Sequence, residues 1–348
     1  MMDVHQLLAY ALDNSATEVM ISVGLPPTLR FPDGLRPAPL DPLTPESMEA
    51  LLHEVLGPDF LARLFHERQL ELLWRLRPDA VFRAAVFSER TSWAVAFRLM
   101  PSTVPSPETL LLPKELRAAA EDGSGLVLVA AAPGHGRSTT LLSLVDVVNQ
   151  QRAAHVLTLE RRLKILLAPR KSMLFQREIG PDPLAAANAL KVACVQDPDV
   201  LMITHLHPTM LPDALELAGR GRLVFAGVDA VSAVDALRLL LTRRDDPEAT
   251  VALQTALALS LHMVIAQRLL PRADQSSWVL ATEMLPIRIE EARLLRVGDL
   301  KALQAVLLSH PEDGAIGMDR CIQFLYKRNI IDRDCARRHM NDQKLLEA

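Results

Sequence analysis

Aromatic residues make up only 4% of this 348-residue chain, and its formal net charge is −4. A protein that grips nucleic acid needs a basic face with stacking rings, so the two shortages together argue against that class and leave room only for a local basic patch. Cysteine is scarce as well. Cys194, Cys321 and Cys335 are odd in number and far apart, which excludes a disulfide framework and points to a reducing compartment. Uninterrupted apolar runs are missing too: the longest, "TVALQTALALSLHMVIAQRLL", is broken by Gln254, His262, Gln267 and Arg268. It is expected to be a buried helix, with no membrane span. The N-terminus lacks the basic start of a leader. Asp3 comes early, and Val4, Leu7, Leu8, Ala11 and Leu12 share one helical face, as in a domain helix. A cytoplasmic protein is the expectation.

What is present is ample apolar material, 49% of residues, enough for more than one core. Pro101, Pro105, Pro107 and Pro113 crowd one stretch, where each fixes φ and removes a donor, and mark a linker at 101–114. Before it, in residues 1–100, a helix, the short strands "EVMISV" and "TLRF", a helix near 44–56 and the alternating "AVFRAAVFSER" and "SWAVAFRLM" predict a small α+β domain. After it, in 115–285, "GLVLVAAA", "AAHVLTLE", "DVLMITHL" and "GRLVFAGV" alternate with helical stretches, the pattern of parallel strands buried on both faces. Ligands of such sheets bind at the strands' carboxyl ends. Residues 286–348 turn helical.

One of those ends reads "VAAAPGHGRSTTLL", a phosphate-binding loop that lacks two of its usual parts. The usual pattern is Gly-x-x-x-x-Gly-Lys-Ser/Thr; here Ala131 takes the first glycine and Arg137 the lysine. Pro133, Gly134, His135, Gly136, Arg137, Ser138 and Thr139 are the candidate phosphate binders, with Ser138 or Thr139 offering a hydroxyl to magnesium. A plain glycine turn between strand and helix fits the same residues. Arginine keeps the charge but replaces a compact ammonium with a wide planar fork.

Taken together, "LLAYALDNSATEVMISVGLPPTLR", "FRAAVFSERTSWAVAFRLMP", the loop, "HVLTLE", "DPDVLMITHLHP", "GRLVFAGVDAVSA", "VIAQRLLPR" and "GMDRCIQFLYKRNIIDRDCA" resemble the hexameric retraction ATPases of type IV pili, the PilT type, within the type II/IV secretion ATPase family. The resemblance runs almost end to end. It implies a PAS-like N-terminal domain and a RecA-like P-loop ATPase domain with a helical C-terminal part. It also implies ATP and Mg2+ as cofactors, and a ring of six built from copies of this chain or shared with an active homologue. The partner it implies is the pilus inner-membrane platform protein, so the chain would sit in the cytoplasm, peripheral at the inner membrane.

Residue by residue, the resemblance assigns Glu160 to the family's acidic box as a candidate base and, with Ser138, as a candidate magnesium ligand. Arg83, Arg90 and Arg98 match the arginines that the N-terminal domain turns toward a neighbour's nucleotide; strand faces and subunit contacts fit them as well. The departures sit at chemical positions. Arg161 replaces the box's aspartate, Thr204 and His205 stand for glycine and the catalytic glutamate, and His207 and Pro208 follow where Arg and Asp are usual. Asp229 replaces the histidine of the next box, where a carboxylate meets phosphate as like charge. His205 and His207 are spaced to face one way and bind a metal, or have drifted at a lost site. Three readings stay open: an accessory protein that binds ATP with impaired hydrolysis, a motor working through Glu160 and Arg137, and an interaction module without nucleotide.

Overall fold

The computed structural model describes residues 3–31, 33–77, 79–241, 246–275, 277–309 and 314–346. The chain divides into two compact units, Met1–Ser102 and Thr103–Ala348.

In the first unit the elements are α1 (Val4–Asp13), β1 (Glu18–Ser22), β2 (Thr28–Phe31), β3 (Gly34–Pro37), α2 (Pro45–Val55), α3 (Pro58–Glu67), β4 (Gln69–Arg77), β5 (Ala80–Glu89) and β6 (Ser92–Leu99). Six antiparallel strands lie in the order β3-β2-β1-β6-β5-β4. The apolar face of α1 (Val4, Leu7, Leu8, Ala11) and that of α2 (Met48, Leu51, Leu52, Val55) close one core with Val19, Ile21, Phe82, Val86 and Phe97 of the strands. The expected hairpin is β5–β6, and β4, a strand outside that expectation whose burial alternates along its length, extends it.

The second unit contains α4 (Lys114–Asp122), β7 (Gly125–Ala130), α5 (Arg137–Gln151), β8 (His155–Glu160), β9 (Met173–Glu178), α6 (Pro183–Gln196), β10 (Val200–Ile203), α7 (Leu211–Gly219), β11 (Leu223–Val228), α8 (Ala233–Leu241), α9 (Pro247–Ser260), β12 (Leu261–Pro271), β13 (Trp278–Pro286), α10 (Ile289–Arg296), α11 (Leu300–Ser309), α12 (Met318–Lys327) and α13 (Arg333–His339). Its sheet runs β13-β12-β7-β11-β10-β8-β9 and is parallel except for β13. Alternate residues of each central strand feed opposite cores. Leu126, Leu128, Leu157, Leu201 and Val224 pack with α6 to α9, while Val127, Val129, Val156, Met202 and Phe225 pack with α4 and α5. Both faces are dry, which is why these strands read as unbroken apolar runs. Three helices open on a capping residue followed by proline: Thr44-Pro45, Asp182-Pro183 and Asp246-Pro247. The side-chain oxygen accepts a free N–H of the first turn, and proline gives up a donor that has no partner there anyway.

The run "TVALQTALALSLHMVIAQRLL" is not one buried helix. Its first half belongs to α9 and its second to β12, a strand between β7 and β13 that begins at Leu261, where α9 ends, with a register shift against β7 between Leu261 and Met263. A strand covered on both faces shows no alternation, so periodicity does not separate it from a buried helix. Among the described residues no helix is long and apolar enough to cross a membrane.

Candidate functional site

A cavity of about 540 Å³ opens at the carboxyl ends of the central strands, lined by Pro133, Gly134, Gly136, Arg137, Ser138 and Thr139 of the loop, and by Arg161, Arg162, Lys164, Thr204, His205 and Asp229. Four strand ends supply it. The loop follows β7, Arg161 follows β8, Thr204 and His205 follow β10, and Asp229 follows β11.

The loop is built to hold its shape. Gly134 and Gly136 take left-handed φ values of 84° and 83°, and Gly136 caps α5, so the helix's free N–H groups face the cavity. Gln267 of β12 donates from Nε2 to the His135 carbonyl at 2.7 Å and accepts at Oε1 from Thr140 Oγ1 at 2.8 Å. His135 therefore points away from the cavity: its Nδ1 accepts from the Leu269 N–H at 3.1 Å. Gln267 falls in "VIAQRLLPR" and interrupts the apolar run, but neither signal assigns it to the loop. At Ala131, where the loop pattern has glycine, φ is not positive and the side chain is fully buried as a continuation of β7, with its N–H on the Val228 carbonyl. Alanine therefore costs the loop nothing.

Three of the departures meet. Arg137 lies across β11 and its Nη1 donates to Asp229 Oδ1, while His205 Nδ1 stands 3.0 Å from Asp229 Oδ2. The second is a close approach without a hydrogen bond. Gly227 makes the path for Arg137, since a Cβ there would come to 2.8 Å from Arg137 Cδ and 2.9 Å from its Nε, and would strike the Thr204 carbonyl. Arg137 is only 16% exposed and its Nε is buried without a hydrogen-bond partner. Burial holds His205 below the usual imidazole range; Asp229 pulls it back up and Arg137, Arg161 and His207 push it down. The balance favours the neutral imidazole. His207 goes elsewhere, with Nδ1 2.9 Å from Thr209 Oγ1, and among the described residues no His, Cys, Asp and Glu cluster is arranged to hold a metal.

Glu160 ends β8, is 1% exposed, and does not line the cavity. Its Oε1 accepts from Thr158 Oγ1 at 2.9 Å and Gln176 Nε2 at 3.1 Å; burial outweighs both bonds and raises its pKa to about 6. The matched Asp197 and Asp199 stand at the opposite end of β10, where Arg222 bonds both, at 2.5 Å and 2.8 Å, and Asp199 also accepts the His155 N–H. In the first unit Arg83 and Arg98 are cross-strand partners of β5 and β6, with Arg83 7% exposed and 3.5 Å from Glu71, while Arg90 sits in the turn at the far end of that hairpin.

A family model described as Type II/IV secretion system protein matches residues 109–330. The chain belongs to that family. The type IV pilus retractation ATPase PilT of Pseudomonas aeruginosa is 27% identical over 338 residues, with 97% of each chain covered. The uncharacterized protein YggR of Escherichia coli is 30% identical over 328 residues, covering 92% of this chain and 98% of that one. Among solved structures, the crystal structure of the pilus retraction motor PilT with bound ADP matches at a TM-score of 0.84 and 28% identity, covering 100% of this chain and 99% of that one. The fold is thus that of a PilT-type secretion ATPase: a RecA-like ATPase unit preceded by an N-terminal domain.

Magnesium serves the phosphates in ATPases of this loop type, held by the loop hydroxyl and nearby carboxylates. The donor set here does not fit it. Ser138 lines the cavity, but the only lining carboxylate, Asp229, is engaged by Arg137, and the segment after β8 brings Arg161, Arg162 and Lys164.

Proposed function

We propose that this chain is a ring-forming PilT-type protein of the type IV pilus machinery that binds a nucleotide and hydrolyses it poorly, acting as an accessory or regulatory paralogue of an intact retraction motor. The observation that carries the reading is the contact of Arg137, Asp229 and His205. Phosphoanhydride hydrolysis needs a cation on the outer phosphates and a group that orients water. Here the cation is engaged by a carboxylate, and the position of the catalytic base carries a neutral imidazole held against the same carboxylate. The loop remains shaped for phosphate, and a smaller cavity of about 210 Å³ beside it, lined by Leu110, Leu111, Gly136, Leu269 and Trp278 among others, offers an apolar bed for a base. Of the three matched arginines, the exposed Arg98 is proposed to face a neighbouring subunit's nucleotide in a hexamer made of this chain or shared with an active homologue, with Arg83 buried beside it against Glu71 and Arg90 at the far end of the hairpin meeting the neighbour elsewhere. The inner-membrane platform protein is the proposed docking partner.

An active motor with altered chemistry is the second reading, favoured by one observation: a carboxylate, Asp229, stands 3.0 Å from Nδ1 of His205 at the position of the catalytic base, and a small rotation of the ring would let it orient that imidazole. Steady-state phosphate release separates the two. The wild type is expected to turn over slowly or not at all, and activity to appear only in the fourfold variant Arg137→Lys, Arg161→Asp, His205→Glu, Asp229→His. His205→Glu without Asp229→His sets two carboxylates against each other, so partial repair fails. Brisk wild-type turnover overturns the impaired reading.

A further inference from the structure

The cavity has a charge layout opposite to that of a magnesium–nucleotide site. Arg137, Arg161, Arg162 and Lys164 line it; Asp229, the one carboxylate lining it among the described residues, is engaged by Arg137, which leaves Arg161 and Lys164 as the cations the inference uses. Glu160 is buried and turned toward Thr158 and Gln176, and Glu178, at the end of β9, accepts the Leu163 N–H at 2.8 Å from the segment that carries Arg161, Arg162 and Lys164. A small hard dication needs several oxygens in near-octahedral array and gives up its water reluctantly. Here it would find the loop hydroxyls of Ser138 and Thr139, a carboxylate already engaged by Arg137, and no further lining acid among the described residues. A polyphosphate finds the reverse, with cations already in place to neutralise it and loop amides to receive its oxygens.

The backbone sets where those cations stand. The Arg161 N–H donates to Thr204 Oγ1 at 3.3 Å, and Thr204 in turn donates to the Leu159 carbonyl at 3.3 Å. The segment after β8 is thereby tied to the end of β10, at the rim of the cavity. The exposed Arg161 side chain also lines an adjoining cavity of about 240 Å³ with Ile179, Gly180 and His207, so it has room to swing toward a bound anion. Arginine matches phosphate oxygens in pairs, which makes it a fit replacement for a bridging ion.

We infer that this site binds the diphosphate group of a nucleotide through Arg161, Lys164 and the loop amides in place of magnesium, so that affinity is independent of divalent cation. The inference rests on the reading of the cavity as a nucleotide site. It also accounts for a loop retained beside lost catalytic groups: the nucleotide is a structural ligand whose charge the protein itself completes.

Calorimetric titration of the full chain with ADP, in EDTA and in excess magnesium, tests it. The dissociation constants are expected to agree within about threefold, under about 0.7 kcal/mol. Arg161→Asp, on an exposed side chain and checked for an unchanged melting temperature, is expected to weaken binding in EDTA by about tenfold or more and to regain it with magnesium. Arg161→Gln should weaken binding in both buffers alike. Wild-type binding that vanishes in EDTA and returns with magnesium overturns the inference while leaving the nucleotide site standing. Binding that Arg161→Asp leaves untouched overturns the role of Arg161. Absence of binding to ADP and ATP in both buffers overturns the nucleotide reading itself.

Discussion

Replacing Asp229 by asparagine keeps the shape of the side chain and removes its charge, which isolates what the carboxylate does at the loop. Arg137 stands where loops of this kind present a cation to the outer phosphates, and Asp229 contacts that guanidinium directly. A terminal phosphate that reaches Arg137 therefore lies one guanidinium's width from the carboxylate, on the order of 5 Å, and the two repel by about 3 kcal/mol at an effective dielectric near 20. The Asp229 side chain is 37% exposed, so solvent takes a large part of that. A remainder of about 1–2 kcal/mol corresponds to roughly tenfold in affinity. Asp229→Asn is thus expected to tighten ATP binding about tenfold while changing ADP binding less than about threefold, because only the triphosphate reaches the freed arginine. Thermal stability should fall in the absence of nucleotide, since Arg137 loses its partner while mostly buried, and recover on addition of ATP. Titration of wild type and variant with both nucleotides in one buffer gives the ratio directly. An unchanged ATP-to-ADP ratio would refute the account of Asp229 as the element that disfavours the triphosphate.

Glu160 supplies a pH signature. Its folded pKa of about 6 lies above the usual 4.5, so the folded state keeps the proton longer. The stability that comes from the neutral acid is present below 4.5 and is lost as pH rises through 6. Glu160→Gln is expected to gain up to about 2 kcal/mol on the wild type at pH 8 and little at pH 4.5; equal effects at both, in denaturant titrations, would show that burial does not load this carboxylate. Gly227→Ala should cost about 1–3 kcal/mol, because the new methyl meets the Thr204 carbonyl, which backbone bonding holds in place, and the Arg137 side chain. Tolerance of alanine in a melting experiment would mean that Arg137 does not lie across β11.

Much of the fold was legible because burial on both faces writes itself plainly: β7, β8, β10 and β11 are apolar runs between breakers. The same property hid β12. Joined to α9 without a breaker, it continued an apolar run whose period carries no information. At the site, each departure was legible singly, while their contact was not. Arg137 and Asp229 are 92 positions apart, and only the sheet order, which sets β7 beside β11 and β11 beside β10, brings their strand ends together. The like-charge clash expected between Asp229 and phosphate gains a second meaning once Arg137 is seen to lie against it.

The segment "DPDVLMITHLHP" looks like one motif but spans two mechanical tasks. Its first aspartates are clamped by Arg222 where β10 begins, and His205 faces the cavity where β10 ends. Four residues of strand, about 13 Å, separate them. The clamp answers to the alignment of β10 with β8 and β11, since Asp199 also accepts the His155 N–H where β8 begins and Arg222 precedes β11. The far end answers only to whatever passes through the cavity. A chain can therefore change its chemistry at one end of β10 while the other end goes on reporting family membership, and a pattern that spans both will recognise the scaffold long after the reaction has changed.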